Sequence, residues 1–382
     1  MGNGDFFSDS FDDAAGRESY DEALAKFKDA CEEGIEATML FTEDEFLYII
    51  EHYMSKDNEV MVLKTSELAF EQHSYSVDLL VRLVDSLLMC GNIPRALYML
   101  EQYKDSFPNN RDIVFLYARA YINQGEYEKA KRGIEDMLSE SDDIADYADS
   151  FASLGQDCID AGNFEAALDY FLQADKLVKD PVEFSNDIAF CYERLDQLDK
   201  AELYYNLFLD KDPFNDNVWF NIGTVYAKKM MFDEAIEAFE YSLALNGGNS
   251  SSLYNLAVVF LNLERFAESV DCFNQFNELE PDNIPGLIGL ANAQMGLREF
   301  KGAYDTFCNA YDIDPQCDEA LLGLSSVMAI RDYLNGDKGG FFLRLNEIVK
   351  KDSSWVGTIY KILPQLGSDG EFIAFMESVK KS

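Results

Sequence analysis

The stretch Asp216–Asn249, DNVWFNIGTVYAKKMMFDEAIEAFEYSLALNGGN, decides the fold. Its apolar and small residues Trp219, Ile222, Gly223, Tyr226, Ala235 and Phe239 return at a fixed interval of 34 residues. One step on stand Leu253, Leu256, Ala257, Phe260, Ser269 and Phe273, closed by Pro281. A second step gives Leu287, Leu290, Ala291, Gln294, Ala303 and Phe307, closed by Pro315. One step back gives Ser185, Ile188, Ala189, Tyr192, Ala201 and Tyr205, closed by Pro213. A period of this length marks a stack of supersecondary units, not one globular core.

Earlier copies follow the same rule less strictly. Phe151, Leu154, Gly155, Cys158, Ala167, Phe171 and Ala174 form one. Tyr117, Ala118, Tyr121 and Ala130 form another, followed by a three-residue insertion in the acidic stretch Ser139 to Asp143. Leu80, Leu83, Leu87, Ala96 and Leu100 form a third, closed by Pro108, and Phe46, Ile49, Tyr53 and Ala69 fit a first copy loosely.

Each copy reads as two helices and a tight turn. Apolar residues at i, i+3, i+4 and i+7 predict an amphipathic first helix. Gly223, or Ala189, Ala257 and Ala291 in its slot, predicts a close helix crossing, and Ala201, Ala235 and Ala303 predict the same in the second helix. The turns carry a Gly-aromatic signal at Gly125-Glu126-Tyr127 and Gly162-Asn163-Phe164; Gly adopts the left-handed conformation such a turn needs at little cost. Pro213, Pro281 and Pro315 end second helices, because proline cannot continue the hydrogen-bond ladder.

This pattern resembles the tetratricopeptide repeat over residues 43–317, through its Trp, Leu-Gly, Tyr, Ala, Phe and Pro slots. The resemblance implies an all-α, right-handed α-solenoid of about eight 34-residue helix-turn-helix repeats, starting near residues 43, 77, 111, 148, 182, 216, 250 and 284. N- and C-terminal capping helices would hide the end faces. Residues 1–16 read as a flexible acidic tail with Phe6, Phe7 and Phe11, and residues 17–42 as the N-terminal cap, its face made by Ala23, Leu24, Phe27 and Ala30. Residues 318–382 read as a divergent last repeat plus cap: Leu321, Leu324 and Met328 start a unit that Asp337 to Gly340 break.

Composition narrows the function classes. A net charge of −40 opposes contact with nucleic acid, whose phosphates demand basic surface, and favours protein partners that are basic or at least not acidic. No stretch approaches the ~20 apolar residues of a membrane helix, and Met1 to Phe7 lacks the basic and apolar regions of a signal peptide. Cys31, Cys90, Cys158, Cys191, Cys272, Cys308 and Cys317 form no C-x-x-C pair and fall mostly on apolar helical slots, which predicts free buried thiols and a reducing, cytoplasmic setting. His52 and His73 stand at no metal-ligand spacing, and no nucleophile elbow, P-loop or dinucleotide motif occurs in the right context. The expectation is a chain with no catalytic residues, metal or cofactor.

What remains is recognition. In tetratricopeptide repeats the first helices line the concave face, so the residue before the Leu-Gly slot points into the groove. Asp187, Asn221 and Asn255 hold that slot in successive units, with Phe190, Phe220, Tyr254, Val258, Ile288 and Asn292 beside them. An Asn amide can both donate to and accept from a peptide backbone. A row of Asn holds extended peptides in the similar repeats of the nucleocytoplasmic sugar transferases. Carboxylate-clamp repeats would need converging cations; Arg82, Arg119, Arg194 and Lys228 lie on first helices without one pattern. The reading is a non-catalytic adaptor that binds a protein segment, with a chaperone for a secreted or membrane client and a substrate-recruiting enzyme subunit as alternatives.

Overall fold

The structure, a computed structural model, describes residues 14–104, 106, 110–139, 147–180 and 182–379. Phe6, Phe7, Phe11, most of the acidic tail, Pro108 and the insertion after Ser139 lie outside them. The described residues form 21 α-helices and no strand. The chain divides into two compact units at Asp187/Ile188.

In the first unit α1 (Ala14–Glu33) precedes four helix pairs: α2 (Glu43–Met54) with α3 (Glu59–Gln72), α4 (Val77–Met89) with α5 (Ile93–Tyr103), α6 (Arg111–Asn123) with α7 (Tyr127–Ser139), and α8 (Ala148–Asp160) with α9 (Phe164–Leu177). The boundary falls within α10 (Ser185–Arg194). The second unit continues with α11 (Leu198–Lys211), then pairs α12 (Asp216–Lys228) with α13 (Phe232–Leu245), α14 (Ser250–Asn262) with α15 (Phe266–Leu279), α16 (Ile284–Gly296) with α17 (Phe300–Ile313), and α18 (Asp318–Leu334) with α19 (Lys338–Lys351). Helices α20 (Trp355–Ile362) and α21 (Gly370–Val379) end it. Helix α1 buries Ala30 and places Ala23, Leu24 and Phe27 in the same core as Phe46, Ile49 and Tyr53 of α2.

A single backbone device builds every turn within a pair. One residue adopts a positive φ at Asp57, Gly91, Gly125, Gly162, Asp196, Met230, Glu264, Arg298 and Gly336. At each, two reverse hydrogen bonds close the helix end, as where Gly162 N donates to the Ile159 carbonyl and Asn163 N to the Cys158 carbonyl, both at 2.8 Å. This is the Schellman arrangement, which satisfies carbonyls the helix leaves unpaired. The residue that follows starts the next helix: the Asn163 side chain accepts from Ala166 N at 3.0 Å and so caps α9. First helices have their own caps, with Asn215, Asn249 and Asn283 accepting from Val218, Ser252 and Gly286 N at 3.1, 3.0 and 3.0 Å.

The positive-φ residues also measure the repeat. They stand 34 residues apart except between Gly125 and Gly162, across the insertion, and between Arg298 and Gly336. The second exception corrects the sequence reading of the C-terminal region. Helix α18 has 17 residues where α12, α14 and α16 have 13. That is about one added helical turn, which delays the turn by four residues. Asp337 to Gly340 therefore do not break the unit: the turn lies at Asn335 and Gly336, Asp337 caps α19, and Lys338 to Gly340 are its first turn. The Asp337 side chain accepts from Gly340 N at 2.9 Å and caps α19. Helices α18 to α21 share one core with α16 and α17, from Leu287 and Phe307 through Phe341 and Leu345 to Ile359 and Phe372.

The small slot on the first helix receives an aromatic ring from a second helix. A Cβ on Gly155 would lie 2.8 Å from Phe171, and one on Gly223 2.8 Å from Phe239. In later repeats the ring also meets the next first helix: a Cβ on Gly289 would lie 2.3 Å from Phe273, and one on Gly323 2.3 Å from Phe307. Phe239, Phe273 and Phe307 are fully buried, each adding about 1.5–3 kcal/mol of apolar transfer energy.

Candidate functional site

Helices α12, α14 and α16 present a common face in the second unit. Their register follows from the repeat, because residues 34 apart occupy equivalent turns. Asn221, Asn255, Phe220, Tyr254, Val258 and Asn292 are each half-buried. Asn255 Nδ2 donates to Thr224 Oγ1 at 3.4 Å, which ties α14 to α12 on this face. Thr224 in turn donates to the Phe220 carbonyl at 3.1 Å. The side-chain amides of Asn221 and Asn292 make no hydrogen bond to another described residue.

The aromatic residues divide their contacts. Phe220 lies 6.1 Å from Phe239, and Tyr254 lies 5.8 and 5.3 Å from Phe273 and Phe276, ring centre to ring centre. One side of each ring therefore belongs to the core. Ile288 departs from its expected place: it is 7% exposed and sits in the core with Leu287 and Ala291. Gly286 and Gly289 allow Phe276 and Phe273 of α15 to approach α16 closely. Phe190 is half-buried in α10. Asp187 belongs to the first unit; burial pushes its carboxyl above the usual carboxylate range, against a backbone hydrogen bond that lowers it.

The cations named from the sequence are engaged within the protein. Arg119 bridges Asp85 and Asp157, the latter at 2.7 Å. Burial opposes the charge of Arg119, and the two carboxylates outweigh it and hold the guanidinium protonated. Arg82 stands 3.7 Å from Glu51, and Lys228 lies 2.8 Å from Glu193. A carboxylate clamp needs such groups aimed at a ligand, so this arrangement does not make one.

A concavity of about 680 Å³ opens between α7 and α9 and is lined by Tyr127, Lys131, Arg132, Asp169, Tyr170 and Gln173. Lys131 and Asp169 pair across it at 3.6 Å. Among the described residues no cluster of His, Cys, Asp or Glu could hold a metal ion, and no helix is long and apolar enough to cross a membrane. Both histidines serve the first unit. His73 Nε2 bonds the Phe41 carbonyl at 2.8 Å, and burial first, then Lys28 and Lys56, push His52 below its usual value. Of the seven free cysteines, Cys158, Cys191 and Cys272 are buried and Cys90 is exposed.

Sequence reasoning missed the positive-φ residues that are not glycine, the added turn of α18, and the engagement of Thr224 with Asn255. Thr224 was findable: it lies 34 residues before Val258 and 68 before Asn292, both of them read as groove residues.

Comparisons with known proteins agree on the architecture. Family models of the tetratricopeptide repeat match residues 87–152, 153–216 and 220–283. No curated protein matches the chain in sequence. Among solved structures, the C-terminal part of a TPR repeat-containing protein from Cytophaga hutchinsonii is 17% identical, covering 64% of this chain and 99% of its own, with a TM-score of 0.52. PilF of Pseudomonas aeruginosa is 18% identical, over 55% of this chain and 93% of its own, at a TM-score of 0.44. YrrB, described as a TPR protein with an unusual peptide-binding site, is 17% identical, over 46% of this chain and 90% of its own, at 0.41. At these identities the likeness is one of fold. The family matches take in half of the chain, and the chain belongs to the tetratricopeptide-repeat family.

Proposed function

We propose that this protein is a non-catalytic adaptor that binds an extended protein segment along the common face of α12, α14 and α16. One observation carries the reading: the half-buried amides of Asn221 and Asn292 have no partner among the described residues, and Asn255 between them makes a single long bond. A half-buried amide without a protein partner gains from a peptide backbone, which offers a donor and an acceptor at every residue. The exposed edges of Phe220, Tyr254 and Val258 add apolar contact beside those amides. The free cysteines fit a reducing compartment such as the cytoplasm.

The test is selection of binders from a displayed library of random, unstructured dodecapeptides, followed by calorimetry. Asn221→Ala with Asn255→Ala is expected to weaken the selected peptides roughly tenfold, at about 0.5–1.5 kcal/mol per lost amide contact, with helix content unchanged. Binding that survives the double substitution but disappears when 318–382 is deleted moves the site to the C-terminal helices and refutes the proposal.

A further inference from the structure

The charge of this protein is segregated by helix. Helices α14 (SSSLYNLAVVFLN) and α16 (IPGLIGLANAQMG) contain no charged residue at all, in a chain where 27% of residues are charged. Helix α12 carries charge only at its ends, and both ends are occupied. Asp216 accepts from Asn246 at 2.8 Å and from Asn249 at 3.4 Å, and Lys228 is held by Glu193 at 2.8 Å. The acids are carried by the second helices between them, Asp233, Glu234, Glu237 and Glu240 on α13 and Glu268, Asp271 and Glu278 on α15. The face that holds Asn221, Thr224, Asn255, Val258 and Asn292 is therefore neutral, although the whole chain carries −40.

We infer that the partner segment is itself uncharged: an extended stretch without Lys, Arg, Asp or Glu over the part that crosses α12, α14 and α16. The inference rests on the proposed binding along this face. A charged side chain brought against these residues would lose hydration and meet no counter-charge, so the face discriminates against it. Amide and hydroxyl groups reward backbone and small polar groups instead, and Val258 with the ring edges of Phe220 and Tyr254 rewards small apolar ones. The net charge of the protein then acts on solubility and on what the second helices repel, not on recognition at this face. A basic partner, which the overall charge invites, would be drawn to α13 and α15.

The same displayed dodecapeptides test this separately from the proposed function. Groove binders are defined as those lost on the triple change Asn221→Ala, Asn255→Ala and Asn292→Ala. These are expected to be depleted of charged residues in their central positions relative to the input library. Their affinity is expected to stay within about twofold between 50 and 500 mM salt, since screening acts only on charge. Groove binders enriched in Lys and Arg, with affinity falling tenfold or more over that range, would overturn the inference and leave the binding face intact. Selection that yields only peptides indifferent to the triple change would overturn both.

Discussion

Adding one methyl group to three glycines separates the packing argument from simple helix propensity. Gly133 lies exposed in α7, and a Cβ there meets nothing within 4 Å. Gly133→Ala is expected to stabilise by about 0.5–1 kcal/mol, the ordinary gain from replacing glycine within a helix. At Gly223 the same atom would sit 2.8 Å from Cδ1 and Cε1 of Phe239. Ordinary carbon contacts lie near 3.5–4.0 Å, so Phe239 must move, yet it is fully buried. The helix gain and the overpacking cost of about 1–3 kcal/mol oppose each other, and the balance is a net loss near 1 kcal/mol. At Gly289 the Cβ would come within 2.3 Å of Phe273 Cζ, and the loss is expected at the upper end of that range. Gly223→Leu, which adds three further carbons, is expected to exceed Gly223→Ala. Urea midpoints, with the slope m checked for constancy, measure the order. Gly289→Ala as stable as Gly133→Ala would refute the assignment of these glycines to ring-filled crossings.

Four further outcomes follow from named groups. Gly162 has φ +75, so Gly162→Ala is expected to cost about 1–2 kcal/mol, whereas Met230→Gly, at φ +60 and 77% exposed, is expected to raise the urea midpoint; opposite signs at the two positions confirm the turn. Asn249→Ala removes the cap on Ser252 N and the bond to Asp216, and is expected to cost about 1–2 kcal/mol by thermal or urea unfolding. Burial pushes the Cys272 thiol up to about 11 from 9.0. A raised folded value means its contribution is complete below the unfolded value and lost as pH rises through the folded one, so stability falls between pH 9 and 11 and Cys272→Ala flattens that fall. At pH 8 a thiol reagent is expected to label exposed Cys90 in the native protein and to reach Cys158, Cys191 and Cys272 only on unfolding.

The sequence by itself determined the repeat, because a 34-residue period sets which residues return to the same turn of successive helices. Gly223 with Phe239 and Gly155 with Phe171 were legible as a small residue and a large one 16 positions apart, and the structure packs them together. The row Asn221 and Asn255 was legible for the same reason. Tertiary structure alone decided the rest. Met230, Glu264 and Arg298 adopt left-handed turns that their side chains disfavour, because the Schellman hydrogen bonds and the packing of both helices outweigh a local cost of about 1–2 kcal/mol. The last repeat lost its phase in the sequence because α18 is about one turn longer, and only its shared core with α16 and α17 restores the pairing. Ile288 shares its slot with Phe220 and Tyr254 but is buried, because it falls in the core that α16 forms with the helices that follow it. The freedom of the amides of Asn221 and Asn292 depended on which neighbours each could reach, and neighbours across helices are set by packing, not by spacing along the chain.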